Sequence, residues 1–125
     1  MLKESRSDTK YQADLEQVVR GLELKGYESI KADLPDLERP SGLKSVDKDF
    51  EYVPDVSAKK YEATSFFEIS QKTHEVQKLV TKWKLLATVA NIKRGKLTIY
   101  MPKGTMKFTR ELVEQYQIPA ILEKM

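Results

Sequence analysis

The order of four segments in the second half of the chain constrains the fold most: two β-prone stretches, a long amphipathic helix and a further strand. The helix, over residues 73–92, is the clearest, because its apolar residues recur at the 3.6-residue spacing of one helical face. They are Val76, Leu79, Val80, Trp83, Leu86, Val89 and Ala90. Residues 50–58 and 61–71 are rich in aromatic and β-branched residues and predict the two strands of a hairpin. Residues 96–101 alternate between apolar and polar side chains and predict another strand.

The first half of the chain predicts a helix, a strand and a long loop. Residues 7–25 form an amphipathic helical pattern, and Gly26 follows at the position where a left-handed residue ends a helix. The apolar face is Tyr11, Leu15, Val18, Val19 and Leu22. Residues 27–34 alternate as a strand does. Residues 35–49 hold proline, glycine and several charges and predict a loop, and loops of this length are often functional.

The remaining segments complete one domain. Residues 59–60 are charged and predict the hairpin turn, and residues 108–116 predict a short helix that Pro119 ends. Residues 120–125 fit either a last helical turn or a short strand. The order α-β-β-β-α-β-α predicts an α/β fold, in which a mixed central sheet is flanked by helices. We expect a single domain over residues 1–125, with residues 1–7 as a loose tail.

Composition excludes several kinds of site. The 125 residues include no cysteine, which excludes disulfides, thiolate metal sites and cysteine nucleophiles. The single histidine, His74, argues against a multi-histidine zinc site. No apolar run approaches the roughly 20 residues that span a bilayer, and the N-terminus lacks the pattern of a signal peptide. We therefore expect a cytoplasmic protein without a membrane partner. The net charge of +3 and the pI near 9.0 permit a polyanionic partner.

Two carboxylates stand at structurally coupled places. Asp55 lies on the first predicted hairpin strand and Glu68 on the second, so they can face the same side of the sheet. Strand alternation places Glu68 on the same face as Phe66 and on the opposite face from Phe67 and Ile69. An acid on such a partly buried face is costly without a partner. The pair could hold one hard cation, Mg²⁺ or Mn²⁺, although a solvated and idle Asp55 remains the alternative.

The ordered motifs resemble those of the PD-(D/E)xK nuclease superfamily, which includes restriction endonucleases. The matching segments are Leu15-Glu16-Gln17-Val18-Val19, Pro54-Asp55, Glu68, Lys82-Trp83-Lys84-Leu85-Leu86 and Gly95-Lys96-Leu97-Thr98-Ile99-Tyr100. The resemblance implies a restriction-endonuclease-like fold and Mg²⁺- or Mn²⁺-dependent hydrolysis of phosphodiesters in nucleic acid, with DNA as the expected partner. It implies that Asp55 and Glu68 bind the metal and that Glu16 assists. Many nucleases of this fold dimerise, so a homodimer is also expected.

One position departs from the family pattern. The motif lysine would fall at position 70, where this chain has Ser70. One explanation is that the lysine has moved: Lys72 is the nearest candidate for the catalytic amine, and Lys78 or Lys82 could reach back from the following helix. The other is that the site is inert and the fold serves to bind DNA or a protein partner. A small α/β interaction domain outside this family is a third reading.

A basic group near the end of the long helix is a candidate nucleic-acid contact. Lys93, Arg94 and Lys96 could bind phosphate. The competing interpretation is a solvated loop whose cations offset the helix dipole. Trp83, between two lysines, could likewise stack on a base, but a large aromatic on a helix face is more often part of a core.

Overall fold

The computed structural model describes residues 8–44 and 51–125, and the predicted tail at residues 1–7 lies outside this part of the chain. The helices are α1 Asp8–Leu24, α2 Val76–Ile92 and α3 Met106–Gln115. The strands are β1 Glu28–Ala32, β2 Leu43–Lys44, β3 Glu51–Tyr52, β4 Val56–Lys60, β5 Ala63–Ile69, β6 Arg94–Met101 and β7 Ala120–Lys124. The order of the predicted helices and strands is thus present, and further short strands are added to it.

Five strands form a mixed sheet in the order β1-β4-β5-β6-β7. The pairs β1/β4 and β4/β5 are antiparallel, whereas β5/β6 and β6/β7 are parallel. Helix α2 makes the crossover between β5 and β6, as a parallel connection requires. Strands β2 and β3 form a separate two-stranded sheet. The α/β class and the mixed sheet are therefore confirmed.

Each face of the central sheet carries its own apolar cluster. One cluster joins α1 to the sheet, and its buried members are Leu15, Val18, Val19, Leu22, Ala32, Val56, Ala58, Phe67 and Ile69. The other joins α2 and α3 to the opposite face, and its buried members are Phe66, Leu79, Val80, Trp83, Leu86, Ala87, Ala90, Leu97, Ile99, Leu112 and Ile118. Strand alternation explains the division, because neighbouring residues of β5 point to opposite faces. Glu68 shares the α2 face with Phe66, as its position in the alternation predicted.

The hairpin differs from the prediction in two ways. The segment predicted as one strand is β3 and β4, separated by residues 53–55, because Pro54 has no N–H to continue a ladder. The turn predicted at residues 59–60 lies instead at Tyr61 and Glu62, which have φ of 52° and 66°. Positive φ at both central residues is what a two-residue turn of matching twist requires. Lys60 consequently pairs with Ala63 inside the ladder.

The structure decides between the two alternatives for residues 120–125 and differs from the loop predicted for residues 35–49. The tail forms a strand, β7, paired in parallel with β6. The predicted loop contains the short strand β2, which pairs with β3. Gly26 has φ of 90° and ends α1 as expected. No helix in residues 8–44 and 51–125 is long and apolar enough to cross a membrane.

Candidate functional site

Asp55 and Glu68 meet at one end of the β4/β5 pair. Val56 is opposite Phe67 in the ladder, which brings the residues just beyond them, Asp55 and Glu68, side by side. The backbone N–H of Asp55 donates to Glu68 Oε2 at 2.9 Å. The backbone N–H of Ile69 donates to Asp55 Oδ2 at 2.8 Å. The two carboxylates are therefore held together by the strands that carry them.

Glu68 is buried, and one charged and one neutral partner reach it from α2. Its side chain is 3% exposed, and Lys82 Nζ lies 3.2 Å from its Oε1. The indole N–H of Trp83 donates to the same oxygen at 3.2 Å. Burial, reinforced by the nearby Asp55 carboxylate, raises the pKa of Glu68 from 4.5 to about 7, although Lys82 opposes the shift. Loss of hydration on burial is thus the main reason that Glu68 holds its proton more tightly than a free carboxyl group.

Lys82 remains a cation in this environment. Burial by itself would lower its pKa, but the carboxylates of Glu68 and Asp55 outweigh burial and raise it. The side chain is 15% exposed, so the ammonium group is shielded without being sealed from solvent. The position of Lys82 follows from the helical period, because its neighbour Trp83 is fixed in the core below α2. Lys82 therefore presents a permanent positive charge to the acid pair.

Helix α1 contributes a hydroxyl group from the other side. Tyr11 donates its O–H to Asp55 Oδ1 at 2.6 Å, a short hydrogen bond of the kind formed with an ionised acceptor. All four carboxylate oxygens of the pair therefore accept a hydrogen bond. Each carboxylate oxygen has a second lone pair, so these bonds orient the acids and leave acceptor capacity.

A cavity of about 320 Å³ opens onto the acid pair. Its wall is formed by Tyr11, Asp33, Arg39, Pro40, Glu51, Val53, Pro54, Asp55, Glu68, Ile69, Gln71, Thr73, Leu79 and Lys82. Arg39 and Pro40 belong to the segment that was predicted to be a long loop. That segment therefore lies against the site, and the cavity gives a ligand access to Asp55 and Glu68.

The donor set suits a hard divalent cation held by few protein ligands. Asp55 and Glu68 offer carboxylate oxygens, and when both are ionised they carry one negative charge more than Lys82 offsets. No group of three or more His, Cys, Asp or Glu side chains that could hold a metal occurs in residues 8–44 and 51–125. Mg²⁺ is commonly bound by only one or two carboxylates, because it retains several waters. The pair fits such an ion, and a bound cation would stabilise the ionised form of Glu68 that burial disfavours.

Several predicted site residues lie elsewhere. Lys72 is exposed and lines a different depression, so the amine beside Glu68 is that of Lys82. Glu16 is exposed on α1, and the α1 side chain that contacts Asp55 is Tyr11.

The basic group is also distant from the acid pair. Arg94 pairs with Thr64 and Ile99 pairs with Glu68, so Lys93, Arg94 and Lys96 lie toward the opposite end of the sheet. Along β6, Arg94 lies five residues from Ile99, roughly 16 Å at about 3.3 Å per residue, and Lys96 lies three residues from it, roughly 10 Å. These three residues therefore do not border the acid pair.

Ser70 performs a structural task at the position of the motif lysine. It is 1% exposed, and its hydroxyl forms a 2.5 Å hydrogen bond with the Thr109 hydroxyl of α3. Thr109 in turn donates to the carbonyl of Thr105. Helix α3 therefore covers the Ser70 hydroxyl, while the residue also borders a depression lined by Lys10, Lys72 and Lys103.

Two contacts of the site were not foreseen from the sequence. The sequence predicts Tyr11 only as part of the apolar face of α1, and Trp83 as either a base-stacking or a core residue. Trp83 is in the core and also donates to Glu68. The available signal was a phenol or indole on an apolar face, since such groups usually find a polar partner when buried.

No protein-family model, curated protein or solved structure matches this chain. The acid pair and its partners therefore have to be interpreted from their own contacts.

Proposed function

We propose that this chain is a metal-dependent phosphodiesterase of restriction-endonuclease-like fold that acts on DNA. The observation that carries the proposal is the convergence of Asp55, Glu68 and Lys82. Two carboxylates from adjacent strands and one amine from the next helix meet at a cavity, with Lys82 Nζ 3.2 Å from Glu68 Oε1. A nuclease site of this type needs the same three groups, and Lys82 supplies the amine that position 70 lacks.

The arrangement of the elements also supports the proposal. A helix precedes the antiparallel pair β4/β5, and the crossover helix α2 leads into the parallel strand β6. Glu68 lies on β5 and Asp55 lies directly before β4, which agrees with the PD-(D/E)xK pattern. The lysine differs, because it comes from α2 in place of the strand.

Each residue would have a distinct task in hydrolysis. Asp55 and Glu68 would hold Mg²⁺ or Mn²⁺, which supplies positive charge to offset the negative charge that develops on the phosphate. Lys82 has three N–H bonds, one of which is directed at Glu68, so another can donate to a phosphate oxygen. Tyr11 keeps Asp55 oriented through its hydrogen bond. The partly buried position strengthens the interaction of Lys82 with an anionic substrate.

An inert binding domain is the second candidate function. Ser70 favours it, because a buried hydroxyl paired with Thr109 cannot substitute for a lysine. In this alternative the acid pair and Lys82 form a buried ionic cluster without turnover. The two functions differ in whether the protein cleaves DNA, and in whether that cleavage requires the acid pair.

Cleavage of DNA by the purified protein distinguishes the two. We expect Mg²⁺- or Mn²⁺-dependent cleavage that falls by roughly 100-fold or more in Glu68→Gln, since removal of one charge-stabilising group often has that effect. Glu23→Gln is the matched control, because Glu23 is an exposed acid of α1 far along the helix from Tyr11. Circular dichroism of both variants checks that they fold. Cleavage equal in Glu68→Gln and the wild type would refute the proposed site.

A further inference from the structure

A second depression lies next to the candidate active site and is lined by lysines. It has a volume of about 400 Å³, and its wall includes Lys10 of α1, Lys72 and Lys103. Lys72 follows β5 and Lys103 follows β6, so the depression lies at the carboxyl ends of two neighbouring parallel strands. Ligands of α/β sheets commonly bind outside these strand ends, where loops from adjacent strands diverge.

The depression carries uncompensated positive charge. Lys10 forms an ion pair with Asp14 at 3.0 Å, which neutralises the only acid on its wall. Lys72 and Lys103 are exposed, and neither has an ion-pair partner in residues 8–44 and 51–125. Two like charges placed on one concave surface repel each other unless an anion lies between them. The charges therefore favour an anionic ligand.

One residue joins this depression to the acid pair. Gln71 lines both the lysine-lined depression and the cavity that contains Asp55 and Glu68. Glu68 and Lys72 are four residues apart, so at most about 13 Å of extended chain separates them. One strand of duplex DNA presents a phosphate for every 3.4 Å or so of helix axis. A strand whose phosphodiester lies at the acid pair therefore has further phosphates within reach of Lys72.

We infer that the depression formed by Lys10, Lys72 and Lys103 binds backbone phosphates of the DNA strand that flank the phosphodiester at the acid pair. The identity of the ligand as DNA rests on the proposed function. Lys72 thereby takes a different task from the catalytic one predicted from the sequence. Sequence-independent contact of this kind positions a strand without reading its bases.

Binding of a labelled DNA duplex in the presence of a chelator tests the inference without cleavage. The double variant Lys72→Gln/Lys103→Gln removes two charges from the depression. The matched control Lys25→Gln/Lys59→Gln removes two exposed charges from the opposite end of the β4/β5 pair. Affinity is measured by fluorescence anisotropy over a range of salt concentrations. We expect the first variant to lose about 10-fold in affinity and about 1.8 in the slope of log K against log salt, since each phosphate contact contributes about 0.9. The control should keep the wild-type slope.

The outcomes separate this inference from the proposed function. Equal losses in the two double variants, or a loss only in the control, would overturn the phosphate site. So would a wild-type protein that does not bind DNA at low salt. Binding that depends on Lys72 and Lys103 in a protein that never cleaves DNA would support the phosphate site and refute the phosphodiesterase. If cleavage and DNA binding are both unchanged in Lys72→Gln/Lys103→Gln, the phosphate site is refuted and the phosphodiesterase is supported.

Discussion

Lys82 reaches Glu68 across the interface between α2 and the sheet, with its Nζ 3.2 Å from Glu68 Oε1. The two residues are separated by the whole connection from β5 to the middle of α2, yet the carboxylate is oriented toward the helix by strand alternation. Their contact is buried, so removal of either partner leaves a charge that the protein environment solvates poorly. The Lys82–Glu68 pair therefore contributes both to the stability of the fold and to the proposed hydrolysis.

Replacement of Lys82 tests whether its amine serves the proposed reaction. We expect Lys82→Gln to lower the rate of metal-dependent DNA cleavage by about 100-fold, because a preoriented charge on the phosphate is lost. Lys78→Gln, on the same helix, is the control, since Lys78 pairs with Glu75 and does not line the cavity. Initial rates at saturating DNA distinguish the two variants. A Lys82→Gln protein with wild-type rates would show that Lys82 only balances charge.

The pKa of Glu68 predicts a particular dependence of stability on pH. Burial raises this pKa from 4.5 to about 7 in the folded protein, so the folded state binds an extra proton between these values. Stability must therefore fall as pH rises through this interval, and the contribution lost is at most about 3 kcal/mol. Below about pH 4.5 both states are protonated at this group and the contribution is fully present.

Urea unfolding of the wild type and Glu68→Gln, without added metal, measures this contribution. The glutamine variant cannot take up the proton, so the free-energy difference between the two proteins isolates Glu68. We expect the wild type to lose stability relative to the variant between about pH 5 and about pH 8. A difference that stays constant over this range would mean that Glu68 titrates as an ordinary exposed acid.

The secondary structure was largely predictable because it depends on short-range patterns. The period of α2, the alternation in β6 and the glycine after α1 each act within a few residues. The hairpin was less predictable, since Pro54 interrupts the ladder while the surrounding β-branched and aromatic residues still favour a strand. The turn at residues 61–62 follows from the pairing of Lys60 with Ala63, and the sequence does not specify that pairing.

The site was only partly predictable because its partners come from separate elements. Asp55 and Glu68 could be paired from the hairpin alone. The choice of Lys82 over Lys72 depends on how α2 crosses the sheet, which no local pattern specifies. Tyr11 shows the same limit, because its hydroxyl reaches an acid 44 residues away. The position of Lys93 was more predictable. A parallel crossover starts at the end of one strand, near Glu68, and returns to the start of the next, so Lys93 lies at the other end of the sheet.

Tyr11 is predicted to be a positioning residue for Asp55. Tyr11→Phe keeps the ring that packs against the α1 cluster and removes the 2.6 Å hydrogen bond to Asp55 Oδ1. Hydrogen bonds to charged groups contribute about 1.5–3 kcal/mol, so we expect roughly a 10- to 100-fold loss in Mn²⁺ affinity or in cleavage rate. Tyr61→Phe is the control, because Tyr61 is 92% exposed at the hairpin turn.

Calorimetric titration with Mn²⁺, alongside the cleavage rate, separates positioning from general stability. A structural role alone would lower the unfolding free energy of Tyr11→Phe and leave the affinity of the folded protein for Mn²⁺ intact. That result would remove Tyr11 from the site.

Restoring the motif lysine is predicted to damage the protein. Ser70 is 1% exposed and is covered by Thr109 of α3, so the side chain of Ser70→Lys has to bury its amine, displace the helix or extend among the lysines of the neighbouring depression, where like charge repels it. An unpaired buried ammonium group costs several kcal/mol, because it loses its hydration without gaining a partner. Ser70→Ala should cost only about 1 kcal/mol, the net contribution of one hydrogen bond. Urea unfolding measures both variants. A stable Ser70→Lys protein with increased cleavage would show instead that position 70 still opens onto the acid pair and that α3 yields readily to a lysine.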